Sequence, residues 1–358
     1  MSFIPSAGAV LPIIIGAFIA AAAVALLATP VIRRIVARLH IVDHPGERRV
    51  HMSPLPRGGG LAVVIAFLLI GGGLIVLGPL IPGMPSLADV EPMNLFGLFG
   101  GAIAAAVFGA IDDRFDLRAR WQFLGQVGLA GIAVVTGITV ASIANPFGTG
   151  KIPFDTPIAI GFTVVWVVGM INSLNFIDGL DGLSTGIALI AAVVLGLLSL
   201  TPQVAQPLVA VLCFVLAGGL LGFLRWNFHP AVIFQGSAGV MFLGYTLAVL
   251  AILGQAKVVA ALLVLAVPII DTFWVIVRRL SSGRSPFSPD RGHIHHRLLD
   301  LGLSHRGTVL LIYAVCATLG LMSLLVSSST SVLAFAVALV GFGVVAFALR
   351  RTPDEVAS

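Results

Sequence analysis

Charge is scarce in this chain. Asp, Glu, Lys and Arg make up only 10% of its 358 residues, against 58% hydrophobic ones, and the mean hydropathy is +1.10. So apolar a chain would not stay in water, which excludes a soluble protein and makes the bilayer its solvent. Lysine is nearly absent, with Lys151 and Lys257 alone. Cysteine is confined to Cys213 and Cys316, each inside an apolar run, so both read as small buried hydrophobes rather than a disulfide or a metal pair. No stretch interleaves aromatic with basic residues, so nucleic acid is not an expected partner. There is no soluble domain and no internal repeat, and residues 1–358 read as one membrane domain. The first apolar run has no Lys or Arg before it and no small-residue cleavage site after it, which predicts a retained helix.

What is present is a series of apolar runs. A spanning helix needs roughly 20 such residues, because lipid offers no partner to exposed backbone. The pattern predicts an all-α polytopic membrane protein with about eleven transmembrane helices, near residues 10–28, 58–81, 94–111, 122–140, 157–171, 183–200, 208–224, 238–253, 258–277, 308–326 and 332–349. With alternate connections assigned inside, every arginine falls on that side: six from Arg33 to Arg57, three from Arg114 to Arg120, Arg225, six from Arg278 to Arg306, and Arg350 with Arg351. Both lysines fall outside. The positive-inside rule then sets the N-terminus outside, the C-terminus in the cytoplasm, and the polar face in the cytoplasm of a cell membrane. The net charge of +5 suits inner loops facing anionic lipid.

Five inner segments carry more polar residues than a connection requires. Asp112, Asp113 and Asp116 close the third span, and on a continuing helix their i, i+3 and i+4 spacing converges three carboxylates on one face. Such a cluster suits a divalent cation, or a solvated set paired with Arg118 and Arg120. The run from Asn172 through Asn175, Asp178 and Asp181 repeats polar residues every third position, with Gly179 and Gly182 allowing a turn or close ligand approach. Two amides and two acids so placed can bind a metal, a sugar or a nucleotide. Around Asp43 and Arg57, the entry to a helix at Gly58–Gly60 reads as a basic loop or as an anion site of guanidinium and free amides. A cytoplasmic loop over 278–307 holds Arg291, His293, His295 and His296. Zinc needs convergent ligands, and no cysteine or second histidine cluster completes a site in the sequence, so phosphate or sugar contacts suit these residues better. Last, Asp271 is an ionisable residue within an apolar span, a functional or structural anchor.

Together these segments resemble the polyprenyl-phosphate N-acetylhexosamine-1-phosphate transferases, from about residue 43 to 307. The resemblance rests on Pro56-Arg57-Gly58-Gly59, Asp-Asp-X-X-Asp at 112–116, Asn-X-X-Asn-X-X-Asp-Gly-X-Asp-Gly at 172–182, Pro268 with Asp271, and His-Ile-His-His at 293–296, which is similar to the UDP-N-acetylglucosamine branch. It implies eleven helices around a cytoplasmic active site, where polyprenyl phosphate attacks the β-phosphate of a UDP-amino sugar to give polyprenyl-diphosphate-sugar and UMP, opening cell-envelope glycan synthesis. It also implies Mg²⁺, with Mn²⁺ as an alternative, and leaves a homodimer open. Asp112 and Asp113 would then handle the lipid phosphate or its proton, and Asp178 with Asp181 the metal and nucleotide. Asn172 and Asn175 would add hydrogen bonds. Arg291, His293, His295 and His296 would face the sugar nucleotide, and Arg57 a phosphate or uridine. The metal set would be Asp113, Asp178, Asp181 and the residue at 237, where the family has Asp and this chain has Ser237. A hydroxyl is a poorer ligand for a hard cation than a carboxylate. A silent homologue that binds lipid phosphate or UDP-sugar as a regulator or scaffold is therefore the alternative. A secondary transporter ranks behind both, since the acids gather at helix ends and the halves do not repeat.

Overall fold

The computed structural model describes residues 7–43, 54–87, 90–145, 147, 150–253, 257–283, 285, 292–326 and 328–348. Helices dominate it because each apolar run must close its backbone hydrogen bonds on itself. α1 (Ala7–Arg38) is followed by a short antiparallel ladder, β1 (Val42–Asp43) with β2 (Leu55–Pro56). α2 (Leu61–Ala66) runs through a π-helical turn (Phe67–Gly71) into α3 (Gly72–Leu77). α4 (Pro92–Phe115) and α5 (Ala119–Val135) lead to a second ladder at the far end of the bundle, β3 (Ser142–Ala144) with β4 (Lys151–Pro153). Then come α6 (Thr156–Ile177), α7 (Leu183–Ser199), α8 (Pro207–Asn227), α9 (Gly236–Leu253), α10 (Lys257–Val264), α11 (Ala266–Ser281), the short α12 (Ile294–Asp300), α13 (His305–Leu325) and α14 (Ser328–Ala348).

The chain is thus an all-α polytopic membrane protein. Each expected span overlaps helix, although the one at 122–140 leaves it after Val135, and among the described residues seven helices are long and apolar enough to cross a membrane, or up to eight if the bent pair α10–α11 is one span. α5 and α7, at 17 residues each, stand at the short limit for a crossing. The ninth expected span, 258–277, is not one helix: α10 and α11 meet at Leu265 with a bend of 79°. Pro268 explains the break, since it cannot donate to the carbonyl of Val264 four residues back and its ring crowds that carbonyl.

α8 and α9 lie at the centre, enclosed by protein, while α1, α4 and α13 present Leu11, Ile15, Phe96, Ile103, Leu310 and Leu321 outward, as lipid-facing helices do. Small residues let the central helices approach. Gly218 and Gly222 of α8 meet the backbone of α1 at Phe18 and Ala22, a small-xxx-small contact. Next to the site, Gly60 at the start of α2 abuts Gly239 of α9 so closely that a methyl group would overlap the Gly239 Cα. Gly60→Ala is therefore expected to push the two helix ends apart and destabilise the protein by about 3 kcal/mol, the upper range for overpacking. Thermal unfolding in detergent checks this, and an unchanged midpoint would contradict the packing.

Candidate active site

The polar segments at one end of the bundle meet where α4, α6, α9 and the β1–β2 ladder converge. Phe234 donates its backbone N–H to the Pro56 carbonyl, and Gly59 and Gly60 donate to Phe234 and Gln235 at 2.8 and 2.9 Å, so the loop before α9 is stitched to the entry of α2. Within this frame lies a cavity of about 360 Å³, lined by Asp43, Arg57, Asp113, Asn175, Asp178, Asp181, Ser237, His296 and His305 among others.

The three acids closing α4 do not converge as the helical spacing predicts. The helix ends at Phe115, and Asp116 turns left-handed at φ 51°, leaving its side chain 93% exposed. Asp112 turns away from the cavity and caps the next turn, accepting the Leu117 N–H at 3.1 Å and the Gln122 amide at 2.8 Å. Only Asp113 faces the cavity. Its two oxygens accept the backbone N–H groups of Ser237 and Ala238 at 2.9 and 3.0 Å, at the N-terminus of α9. A carboxylate there meets free amides and the positive end of the helix. Arg57 completes the corner by donating twice to the Asp113 carbonyl, at 2.7 and 3.1 Å, with its Nε 3.5 Å from the carboxylate.

The 172–182 segment divides in two. Asn172 is still helical and ties α6 to α5 through Gln126 at 2.6 Å, so it does not reach the cavity. Asn175, Asp178 and Asp181 do. Gly182, at φ +78°, reverses the chain into α7, which brings the Ser184 hydroxyl onto Asp178. Ser184 and Thr185 both contact the Gln235 side chain at 2.8 Å, and Thr185 also donates to Asn227 at 2.7 Å. One hydroxyl proton serves one acceptor. With the Gln235 NH₂, which otherwise has no partner among the described residues, turned toward both hydroxyls, Ser184 is free to donate to Asp178. Burial pushes the pKa of Asp178 up to about 7; the Ser184 hydrogen bond opposes this, while Asp113, Asp181 and Asp43 add repulsion. Carboxylates that face one cavity raise one another's pKa in this way.

Of the histidine run, His296 lines the cavity, but His293 and His295 do not. His293 bonds Asp271 at 2.7 Å, and Asp271 also accepts the Ile294 N–H at 2.9 Å, so the acid of α11 anchors the start of α12. His295 is buried against Gly179, and burial, with its histidine neighbours, holds its pKa well below the usual value, leaving it neutral. These three rings do not form a metal set. Arg291 lies outside the described residues. Sequence reasoning missed Ser184, Thr185, Gln235, His229 and His305 as site components; they carry no motif spacing of their own, and only the fold assembles them. Both cysteines are free and buried, as expected.

Comparison with known proteins adds to this geometry. A family model described as glycosyl transferase family 4 matches residues 95–255. A Bacillus subtilis (strain 168) protein described as a probable undecaprenyl-phosphate N-acetylglucosaminyl 1-phosphate transferase is 35% identical over 323 residues, 88% of this chain and 86% of that protein. The decaprenyl-phosphate N-acetylglucosaminephosphotransferase of Mycobacterium tuberculosis (strain CDC 1551 / Oshkosh) is 35% identical over 319 residues, covering 82% of this chain and 77% of its own. The undecaprenyl-phosphate alpha-N-acetylglucosaminyl 1-phosphate transferase of Yersinia pestis is 28% identical over 312 residues, 82% and 79% of the two chains.

Proposed function

This chain belongs to glycosyl transferase family 4, among its polyprenyl-phosphate N-acetylglucosamine-1-phosphate transferases, and on that premise we propose how its cavity serves the reaction. It is an enzyme that transfers N-acetylglucosamine-1-phosphate to polyprenyl phosphate. The donor in our reading is UDP-N-acetylglucosamine: an oxygen of the lipid phosphate attacks the β-phosphorus, a new P–O bond forms as the bond from that phosphorus to the oxygen bridging it to the α-phosphate breaks, and UMP leaves with that oxygen. The observation that carries this reading is the single cavity in which Asp43, Asp113, Asp178 and Asp181 meet beside Arg57. Arg33, Arg34, Arg38, Arg57, Arg114, Arg118, Arg225 and Arg278 sit at the helix ends around the same face, which supports a cytoplasmic orientation.

The residues fit a divalent cation. Asp178 is held among three other acids with its charge opposed by its surroundings, a strain that Mg²⁺ or Mn²⁺ relieves. Asp178 would be the principal ligand, with Asp113, Asp181 and the Ser237 hydroxyl in the same cavity. Bound there, the cation would neutralise phosphate charge that otherwise keeps two anions apart. The rest falls to the chain's own groups. Arg57 offers positive charge to a phosphate, Asn175 and His296 offer hydrogen bonds to the nucleotide sugar, and Asp113 fixes the α9 terminus that forms one wall. Asp112, which hydrogen-bonds into the α4–α5 turn, is removed from the phosphate-handling set.

The test is conversion of labelled UDP-N-acetylglucosamine and polyprenyl phosphate to a lipid diphosphate sugar and UMP, read by mass spectrometry. Ser237→Asp restores a carboxylate and is expected to lower the Mg²⁺ concentration for half-maximal rate by about tenfold, the equivalent of ~1.4 kcal/mol. If the wild-type chain makes no product while Ser237→Asp does, the silent regulator replaces the enzyme.

A further inference from the structure

At the edge of the cavity the structure assembles a group that no motif announces. Asp181 follows α6, His229 follows α8, and His305 opens α13, yet one donor atom from each lies within 4.8 Å of the others. His229 Nδ1 is 2.7 Å from Asp181 Oδ2, and the Asp181 backbone N–H donates to His305 Nε2 at 3.0 Å. The two imidazoles stack with centroids 4.1 Å apart. Arg306 donates to the His229 carbonyl at 3.0 and 3.2 Å, and Ala231 donates its N–H to Asp181 Oδ2 at 3.1 Å, so the backbone around the group is fixed. His305 Nδ1 is buried with no hydrogen-bond partner among the described residues, so the ring's one hydrogen bond there is the one its Nε2 accepts from the Asp181 N–H.

We propose that Asp181, His229 and His305 form a binding site for a divalent transition metal of the zinc class, beside the hard-cation position at Asp178, with Asp181 as the carboxylate that the two positions share. Two imidazoles and one carboxylate are a donor set that borderline ions prefer and Mg²⁺ does not, and three protein ligands leave a coordination position open. Asp181 and His305 also line the cavity while His229 does not, so the open position is reachable from the substrate side, where water or a phosphate oxygen would take it. Arg306 and the Ala231 amide support the ligands from behind, the role that outer hydrogen bonds play at metal sites.

Cobalt(II) is the probe, because nitrogen-ligated Co²⁺ of low coordination number absorbs visible light. Metal-stripped full-length protein, purified in detergent with a tag free of histidine, is titrated with Co²⁺ in millimolar Mg²⁺, and Zn²⁺ is then added in competition. One equivalent of Co²⁺ is expected to give a visible band that Zn²⁺ abolishes and Mg²⁺ does not, with affinity lowered about 100-fold in His229→Gln and in His305→Gln. His296→Gln should leave the band unchanged. Thermal unfolding with and without Zn²⁺ gives a second reading: a rise in the wild type that is absent in His229→Gln, a loop variant that leaves every helix start intact. No band in the wild type, or a band that survives both substitutions or follows His296, overturns the site. The measurement reads metal binding alone, so its outcome is independent of whether transfer is observed.

Discussion

Replacing Asp178 with Asn is expected to lower sugar-phosphate transfer by roughly a thousandfold or more while the protein remains folded, the scale on which groups that stabilise charge or move protons act. The side chain is half-buried at the end of α6, held by the Ser184 hydroxyl, and faces Asp113, Asp181 and Asp43. Asn keeps the shape and one acceptor but removes the charge that draws a cation into the cavity. A second signature separates loss of chemistry from loss of fold. In the metal-free protein the Asp178 pKa stands at about 7, above the ordinary value of 3.8. A carboxyl raised in this way favours the fold when protonated, so its contribution is intact below the ordinary value and is lost as pH rises through about 7. Wild-type protein in chelator should therefore lose stability between the ordinary value of 3.8 and about 7 more steeply than Asp178→Asn, and Mg²⁺ should remove the difference. Parallel slopes for the two proteins would show that Asp178 does not titrate where its surroundings require. Transfer within tenfold of wild type would remove Asp178 from the chemistry.

Much of this arrangement is written in local pattern, and the rest in packing. Apolar runs of about 20 residues locate the helices because their backbone has no other way to be satisfied in lipid. The break at Leu265 is also encoded, in Pro268, but hydropathy alone reads straight through it because the residues on both sides are apolar. The divergence of Asp112, Asp113 and Asp116 was hidden for a different reason. The i, i+4 spacing holds only while the helix lasts, and α4 stops one residue before Asp116. Histidine shows the opposite case. The conspicuous run at 293–296 is divided among an anchor on Asp271, a buried neutral ring and one cavity residue. His229 and His305, 76 positions apart and unremarkable in sequence, stack face to face because α13 begins where the chain leaves α8.

The same reasoning predicts that adjacent acids, alike in sequence, separate by experiment. Asp113→Asn should cost about 2–3 kcal/mol of stability and about 100-fold in transfer, since charge-assisted hydrogen bonds to buried groups are worth that much. Asp113 is buried, and each of its oxygens holds one amide of the α9 terminus, with Arg57 alongside. An Asn has one oxygen for two amides, and its NH₂ would face a second donor across the gap. The damage spreads because those amides belong to Ser237 and Ala238, so the wall of the cavity loosens with the side chain. Asp112→Asn keeps an oxygen for the Leu117 N–H and the Gln122 amide, faces no substrate cavity, and should reduce transfer by less than about tenfold. Unfolding midpoints and initial rates measured on both variants decide the matter: equal losses would mean that the two acids act as one unit, and the division of labour drawn from their opposite orientations would fail.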